Sequence, residues 1–557
     1  MRNLLLIILI LLTYCIAAQD FKAEAESGTW TTGLMVSKTK SGYSGSGYVT
    51  QFTSASDKLT IPVEIPEDGS YDIYIGYSAE YGDKVINVEV NGLKSPLQIL
   101  KKGGGFYEEK LGTLKLKSGN IQVIITPNWT WFHIDYVRFV KVDGNTQGFN
   151  IPLAPINHLA TPITRNLYSF LRDNFGKKTI SGVMTLKSLS TVTNEINWLR
   201  TNTSKEPALL GLDFMDHTGS NPPSWQNNPD LVKDAKTWAG KNGIVALCWH
   251  WRDPSHKTNA FYTKDTQFDI TKVNEPESAE YKAMIRDIDI VAGHLKELQK
   301  ANVPVLWRPL HEASGRWFWW GAKGAEPCIK LWKLMYDRMT NYHGLNNLIW
   351  VWTTTVDADA LPWYPGDEYV DILGMDIYPG EREHGSQVIA FNKVKEIFEG
   401  KRIIALSENG SIPYPENMEQ DGAYWSYFMP WYGEHTKNEK HNPVDDWKRI
   451  LSSDFVITLD KMPNLALYSS SSAIESDSYP DGIIKVYKSG EDIKISLPLL
   501  HSGNYRIILF SLTGKLIYET KSSAWGDITI PASNLQKGIY VLRQSGGAGT
   551  RTTKVVI

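Results

Sequence analysis

Two short apolar runs, each breaking into polar residues at a glutamate, constrain this chain more than any other feature. The first is Val303-Pro-Val-Leu-Trp-Arg-Pro-Leu-His311-Glu312 and the second is Lys401-Arg-Ile-Ile-Ala-Leu-Ser-Glu408-Asn-Gly. Each begins as a brief, partly β-branched run of the kind buried in parallel sheets. Between them, Val370-Asp-Ile-Leu-Gly-Met-Asp376-Ile-Tyr378-Pro repeats the apolar strand and polar exit. Strands with chemistry at their C-terminal ends are what a (β/α)8 barrel requires. Two glutamates brought to one face by different strands imply cleavage of a glycosidic bond by a carboxylate pair. A lone glutamate after a strand would imply only a solvated surface. The Trp-Arg-Pro-x-His-Glu and Asp-x-Tyr-Pro groups around these two, and the many tryptophans, argue for the site.

The strand–helix alternation extends through residues 150–465. Strands are expected at Lys178–Met184, Ala208–Phe214, Gly243–Trp249, Val303–Pro309, Asn346–Trp352, Val370–Ile377, Arg402–Leu406 and Tyr424–Pro430. Helical stretches separate them, the longest being Ala279 to Lys300, and a further helix over Thr164 to Phe175 precedes them. These units fit one barrel. The long segment from Arg252 to Pro276 is expected to wall the substrate cleft.

At 557 residues the chain has room for more than the barrel. Lys+Arg 58 against Asp+Glu 61 is nearly balanced, so nothing points to nucleic acid or an anionic membrane. Residues 1–18 read as a signal peptide: Arg2, the apolar run from Leu4 to Leu12, then Ala17 and Ala18. That run is too short to span a bilayer, and no transmembrane segment is expected in the mature chain. Cys248 and Cys328 then remain, read as buried free thiols, with a disulfide left open by the exported setting.

Residues 20–142 alternate apolar and polar in short stretches such as Lys58-Leu-Thr-Ile-Pro-Val-Glu-Ile and Tyr71-Asp-Ile-Tyr-Ile-Gly-Tyr, separated by turns. This predicts a β-sandwich. Trp129 and Trp131 lie two apart before its last strand, so an extended loop would point both one way. At least one reads as a platform for a sugar ring, with core packing as the alternative for the other. Ser-rich residues 466–480 read as a linker, and residues 481–557 return to β character as a second small sandwich. The fold class is therefore multidomain: a central (β/α)8 TIM barrel between two β-sandwiches. Other chemistries fail on spacing, because His311-Glu312 lacks the second histidine of a zinc protease and no nucleophile elbow or phosphate loop is present.

Three resemblances add to this reading. Trp249-His250-Trp251, Trp307-Arg-Pro-Leu-His-Glu312, Gly315-Arg-Trp317-Phe-Trp-Trp320-Gly, Gly374-Met-Asp376-Ile-Tyr378-Pro, Ser407-Glu408 and Met429-Pro-Trp431-Tyr resemble glycoside hydrolase family 26, dominated by β-mannanases. That resemblance implies a retaining endo-β-1,4-mannanase needing no cofactor, with Glu312 as acid/base and Glu408 as nucleophile. His250 and Asp376 would line the glycone side, Trp431 the reactive subsite and Trp317 the leaving-group side. Trp319 and Trp320 could serve either substrate or core. Arg308 and Tyr378 are placed to orient the nucleophile, and His311 to contact sugar hydroxyls. A mixed-linkage β-glucanase or a mannobiose-releasing exo-enzyme keeps this mechanism. A catalytically silent polysaccharide-binding protein is the alternative of another class.

The amino-terminal segment resembles carbohydrate-binding module family 35, through Ala23-Glu24-Ala25-Glu26, Ser44-Gly-Ser-Gly-Tyr-Val49 and His133-Ile-Asp135-Tyr-Val. The resemblance implies a structural calcium held by Glu24, Glu26 and Asp135; solvated surface acids are the alternative. The carboxy-terminal segment resembles the sorting domain of type IX secretion, through Gly503-Asn-Tyr, Leu512-Thr-Gly-Lys, Leu535-x-x-Gly538-Ile-Tyr-Val and the Lys554-Val-Val-Ile ending. This implies export machinery as a partner and a secreted or surface-attached product. A second binding sandwich is the alternative.

Overall fold

The structure is a computed structural model that describes residues 20–142, 148–219 and 226–468, together with the strands and a few adjoining positions of residues 485–556. The expected signal peptide and most of the expected linker lie outside the described residues. The chain divides into two compact units, one up to Ser470 and one from Ser471.

In the first unit, residues 20–142 form two antiparallel sheets. One contains Met35–Ser37, Tyr48–Thr50, His133–Val142, Gly69–Ser78 and Tyr107–Leu116 in spatial order, with Asp20–Glu24 also paired to His133–Val142. The other runs Thr29–Trp30, Leu59–Ile65, Gly119–Pro127, Lys84–Val90 and Leu93–Ile99. Two-residue alternation builds the core between them. Leu59, Ile61, Val63 and Ile65 are buried from one strand, and Ile86, Val88 and Val90 from another. Intervening residues such as Glu64, Asn87 and Glu89 point outward, as the pleat dictates.

The barrel comprises eight parallel strands: Thr179–Met184, Leu209–Asp213, Ile244–Cys248, Val305–Arg308, Leu348–Thr354, Ile372–Ile377, Ile403–Asn409 and Tyr427–Phe428. They are called strands one to eight here. Strand eight pairs with strand one through Ile180 and Ser181. A bridge between Asn409 and Pro430 joins it to strand seven, so the ring closes. The expected order and number of strands hold, but two ends differ. Strand eight is only two residues long, and strand seven runs past Leu406 to Asn409. Glu408 is therefore paired within the sheet, opposite Asp376. Strand four stops at Arg308, so Glu312 does not end a strand but sits in the turn beyond it, at φ 53°. Leu310 has φ 50° as well. Left-handed backbone at non-glycine residues is costly and marks a segment held by its surroundings.

Helices wrap the ring. The helix Ala279–Lys300 starts at Ser278, whose hydroxyl accepts from the Tyr281 amide, a standard N-cap that satisfies one orphan donor. Cys248 and Cys328 are both buried and unpaired, which settles them as free thiols. Tyr468, within the expected linker, packs edge-on against Phe170 and donates to Asp173 at 3.0 Å, while Leu467 before it is exposed.

The sandwich docks on the barrel helix Val388–Ile397. Lys110 pairs with Glu396 at 2.8 Å, Lys94 pairs with Glu383, and Asn392 Nδ2 donates to the Thr113 carbonyl at 3.0 Å. Gly112 has φ 154°, and a Cβ there would meet the Ile389 side chain at 3.2 Å, so the backbone itself makes the contact.

In the second unit, Lys485–Ser489, Asp492–Ser496 and Asp527–Pro531 form one antiparallel sheet. Leu516–Ser522, Tyr505–Ser511, Ile539–Gly546 and Gly549–Val556 form another. Ile507, Leu509 and Leu542 are buried within it. Among the described residues, no helix is long and apolar enough to cross a membrane.

Candidate active site

The polar exits of the strands meet at the C-terminal mouth of the barrel. Arg308, the last residue of strand four, is nearly fully buried and reaches across to strands six and seven. Its Nη2 donates to Glu408 Oε2 at 2.5 Å, and its Nη1 donates to Asp376 Oδ2 at 2.7 Å and to Thr353 Oγ1 at 3.2 Å. Burial alone would lower the guanidinium's pKa, but Asp376 and Glu408 beside it hold it well above the ordinary arginine value. The Tyr378 hydroxyl, from just past strand six, donates to the other oxygen of Glu408. Burial and the adjacent Glu408 push that phenol far above its usual range, so it stays a donor. Both oxygens of Glu408 are thus held by donors.

Glu312 occupies a different environment. Its Oε2 accepts from Trp317 Nε1 at 3.0 Å and from no cation. Burial, with Asp376 and Glu408 nearby, pushes its carboxyl up to about 8, against the pull of Arg308. One carboxylate oxygen each from Glu312, Asp376 and Glu408 lie within 4.8 Å of one another. Oxygens this near fit the roughly 5–5.5 Å carboxyl spacing of a retaining pair better than the wider spacing of an inverting one. Trp317 is 48% exposed and lies over Gly315, where a Cβ would strike its ring at 2.0 Å.

Asp376 sits behind Arg308, its second oxygen accepting from Ser407 Oγ at 2.7 Å. Burial first, and then Glu408, raises it to about 7, with Arg308 opposing.

On the other side, strands two, three and four bring Asp213, His250 and His311 into a chain. Asp213 Oδ2 lies 2.6 Å from His250 Nδ1, and His250 Nε2 lies 3.1 Å from His311 Nε2. The Asp213 carboxylate accepts a hydrogen bond from His250 Nδ1–H, which leaves His250 Nε2 to accept from His311 Nε2–H. Burial works to raise Asp213, but His250 prevails and keeps it low. Burial drives the His311 pKa well below its usual value, so the ring is neutral. Asp213 escaped the sequence reading, although it is the last residue of an apolar strand, and that polar exit was the available signal.

Trp431 is half-buried, packs edge-on to His250 at 5.6 Å between ring centres and lies against Tyr432 at 4.9 Å. Trp319 and Trp320 are fully buried and donate to the carbonyls of Trp251 and His311, which assigns both to the core. The 252–276 segment meets the 316–319 turn. Tyr262 stacks on Phe318 at 5.4 Å, and the Thr263 amide donates to the Trp317 carbonyl at 2.7 Å.

In the sandwich, Trp129 and Trp131 are 56% and 55% exposed, so neither is core. Trp131 adopts φ 70°, so the loop is not extended there; its ring instead meets exposed Tyr81 edge-on at 6.3 Å. Glu24, Glu26 and Asp135 converge on the turn 44–46. The Ser44 amide donates to Asp135 at 2.9 Å, Ser44 Oγ to Glu24 Oε1 at 2.7 Å, and the Ser46 amide to Glu26 Oε1. Glu24 Oε2 and Glu26 Oε2 are buried with no partner. Burial, then the two glutamates, pushes Asp135 up to about 7.

Comparison with known proteins fits this geometry. The sequence profile of glycosyl hydrolase family 26 matches residues 156–461, that of carbohydrate binding module family 35 matches 21–142, and that of a secretion system C-terminal sorting domain matches 489–557. A mannan endo-1,4-beta-mannosidase of Thermothelomyces thermophilus is 37% identical over 448 residues, covering 79% of this chain and 90% of its own. The crystal structure of a Podospora anserina GH26-CBM35 beta-(1,4)-mannanase is 36% identical, covers 81% of this chain and 100% of its own, and has a TM-score of 0.55. A beta-mannanase from a symbiotic protist of the termite Reticulitermes speratus, solved with gluco-manno-oligosaccharide, is 45% identical over 57% of this chain and 100% of its own, with a TM-score of 0.54. The sorting domain marks the protein as secreted or attached to the cell surface. With a carboxylate pair at the mouth of a closed barrel and a profile spanning that whole barrel, the chain belongs to glycosyl hydrolase family 26, carrying a family 35 carbohydrate-binding module ahead of the barrel and a secretion sorting domain behind it.

Proposed function

We propose that this chain is an exported endo-β-1,4-mannanase that retains anomeric configuration. The observation that carries the mechanism is the unequal treatment of the two glutamates: Arg308 and Tyr378 hold Glu408, while Glu312 is pushed up to about 8. Glu408, held as a carboxylate, attacks the anomeric carbon and forms a glycosyl ester. Glu312 protonates the departing glycosidic oxygen. It then takes a proton from water, which hydrolyses the ester and frees Glu408. The neutral His311 is buried, so instead of meeting the sugar hydroxyls it supports His250, which Asp213 holds from the other side. Trp431 offers a ring to the sugar being cleaved and Trp317 one to the leaving sugar. The mannanase activity of the relatives supports mannan as the substrate. Product analysis on mannan, galactomannan, glucomannan and barley β-glucan tests this reading. Random internal cleavage of mannan with retained configuration is the expected result, and cleavage of β-glucan alone would overturn the substrate.

The family 35 module holds the barrel against solid polysaccharide through exposed Trp129 and the paired rings of Trp131 and Tyr81. It also holds a structural calcium. Hard oxygen donors are what calcium needs, and the unpartnered oxygens of Glu24 and Glu26 beside Asp135 form such a set. A chelator should lower the melting temperature of the chain and added calcium restore it; a melting curve indifferent to both would remove the ion. The sorting domain delivers the protein to an export machinery.

A further inference from the structure

A cleft of about 710 Å³ lies between the sandwich and the barrel mouth. Its volume falls in the range of ligand sites, about 300–1,000 Å³. The barrel wall consists of the residues just beyond strands five and six, including Thr355, Asp357 and Tyr378. The sandwich wall is the outward face of its second sheet, including Asn87, Glu89 and Asn128. Tyr378 joins the cleft to the catalytic centre, because its ring lines the cleft while its hydroxyl donates to Glu408.

We propose that this cleft is a distal polysaccharide subsite on the leaving-group side, completed by the sandwich. The inference rests on the glycoside-cleaving reading of the barrel. Direction follows from Glu312, which must face the leaving oxygen. Glu312 is bonded to Trp317, and the neighbouring Arg316 lies over Trp363, in the segment that follows strand five. The leaving-group side therefore opens toward strand five, where the cleft begins. Asp213, His250 and Trp431 occupy the opposite side, on strands two, three and eight. The chemistry of the walls suits a neutral polyol. Amides, hydroxyls and carboxylates alternate with apolar Val356, Ile377 and Pro96. Lys58 and Lys94 line the cleft beside Glu89, Asp357, Asp376 and Glu383, and Lys94 is paired with Glu383, so no positive excess awaits a polyanion. The docking contacts on the helix Val388–Ile397 hold the two walls in place.

The experiment uses the full chain and mannohexaose hydrolysed in ¹⁸O-labelled water, which records by mass which bond is cut. A double variant, Asn87→Ala with Glu89→Ala, removes two outward side chains from the sandwich without touching its core. The expected result is a roughly three- to tenfold fall in kcat/KM on mannohexaose, as loss of one or two hydrogen bonds gives. Cleavage should shift toward bonds that leave fewer sugars on the reducing side, and activity on mannotriose should be unchanged. Asn87→Trp, which fills the cleft, should give the same shift. An unchanged cleavage pattern and rate for both variants, with the parent active, would overturn the distal subsite alone. An inactive parent would overturn the catalytic reading and this inference with it.

Discussion

Arg308 Nη2 lies 2.5 Å from Glu408 Oε2, and both side chains are less than a tenth exposed. The same guanidinium binds Asp376 through its other terminal nitrogen, so one cation balances two buried acids. A buried pair of this kind is weak evidence for stability but expensive to break, because removing one partner strands a charge. Arg308→Met should therefore lower stability by about 3–5 kcal/mol and abolish turnover. Arg308→Lys should recover folding better than activity, since a point charge cannot span both carboxylates as the planar fork does. Thermal melts and kcat/KM on mannan check both, and a fully active Arg308→Met would remove the clamp from the mechanism.

In the proposed mechanism Glu312 is the acid and sets the alkaline limb of the rate profile. A general acid must be protonated, so kcat/KM should fall as pH rises through about 8. Stability carries the same sign. The folded-state pKa is raised above the ordinary 4.5, so the protonated carboxyl's contribution is complete below about 4.5 and is lost as pH rises through about 8. Glu312→Gln mimics the protonated form and should melt higher than the parent above pH 8, while being inactive on mannan. A parent profile flat to pH 10 would contradict the assignment.

The two glutamates should separate kinetically. Glu408→Ala should lose turnover on every substrate, because no glycosyl ester can form. Glu312→Ala should lose about 10²–10⁴-fold on mannan but much less on aryl mannosides with good leaving groups, which need no acid. Equal losses on both substrates would refute these roles.

Trp129 and Trp131 are each more than half exposed, so truncating them should leave the melting temperature almost unchanged. Binding to insoluble mannan should fall, with kcat on short soluble oligosaccharides untouched. Pull-down and melting on one sample test this, and full binding by both Ala variants would move the platform elsewhere.

Removing residues 481–557 should leave the activity of the purified enzyme unchanged and retain the protein inside its native cell. Normal export of the truncated chain would refute the sorting role. Lost binding to polysaccharide would favour a second binding module instead.

Much of the barrel was legible because burial on both faces of a parallel strand leaves continuous apolar runs, and chemistry follows at the polar exit. Val303 to Glu312, Val370 to Tyr378 and Lys401 to Glu408 carried that pattern within ten residues or fewer. By itself the sequence determined the barrel and the two β-rich segments, and it singled out Glu312 and Glu408 as candidates. Only the tertiary structure decided the rest. It bound Arg308 to acids 68 and 100 residues away, buried Trp319 and Trp320 while leaving Trp317 open, and put Glu312 in a strained turn rather than on a strand. It linked Asp213 to His250 and His311, and it set the outer sheet of the sandwich across from strands five and six. The reason is physical. Periodicity records which side of a strand faces a core, because that is fixed by neighbours along the chain. Ionisation, exposure and the walls of a cleft are fixed by neighbours across space, and no local pattern encodes which distant side chain will arrive there.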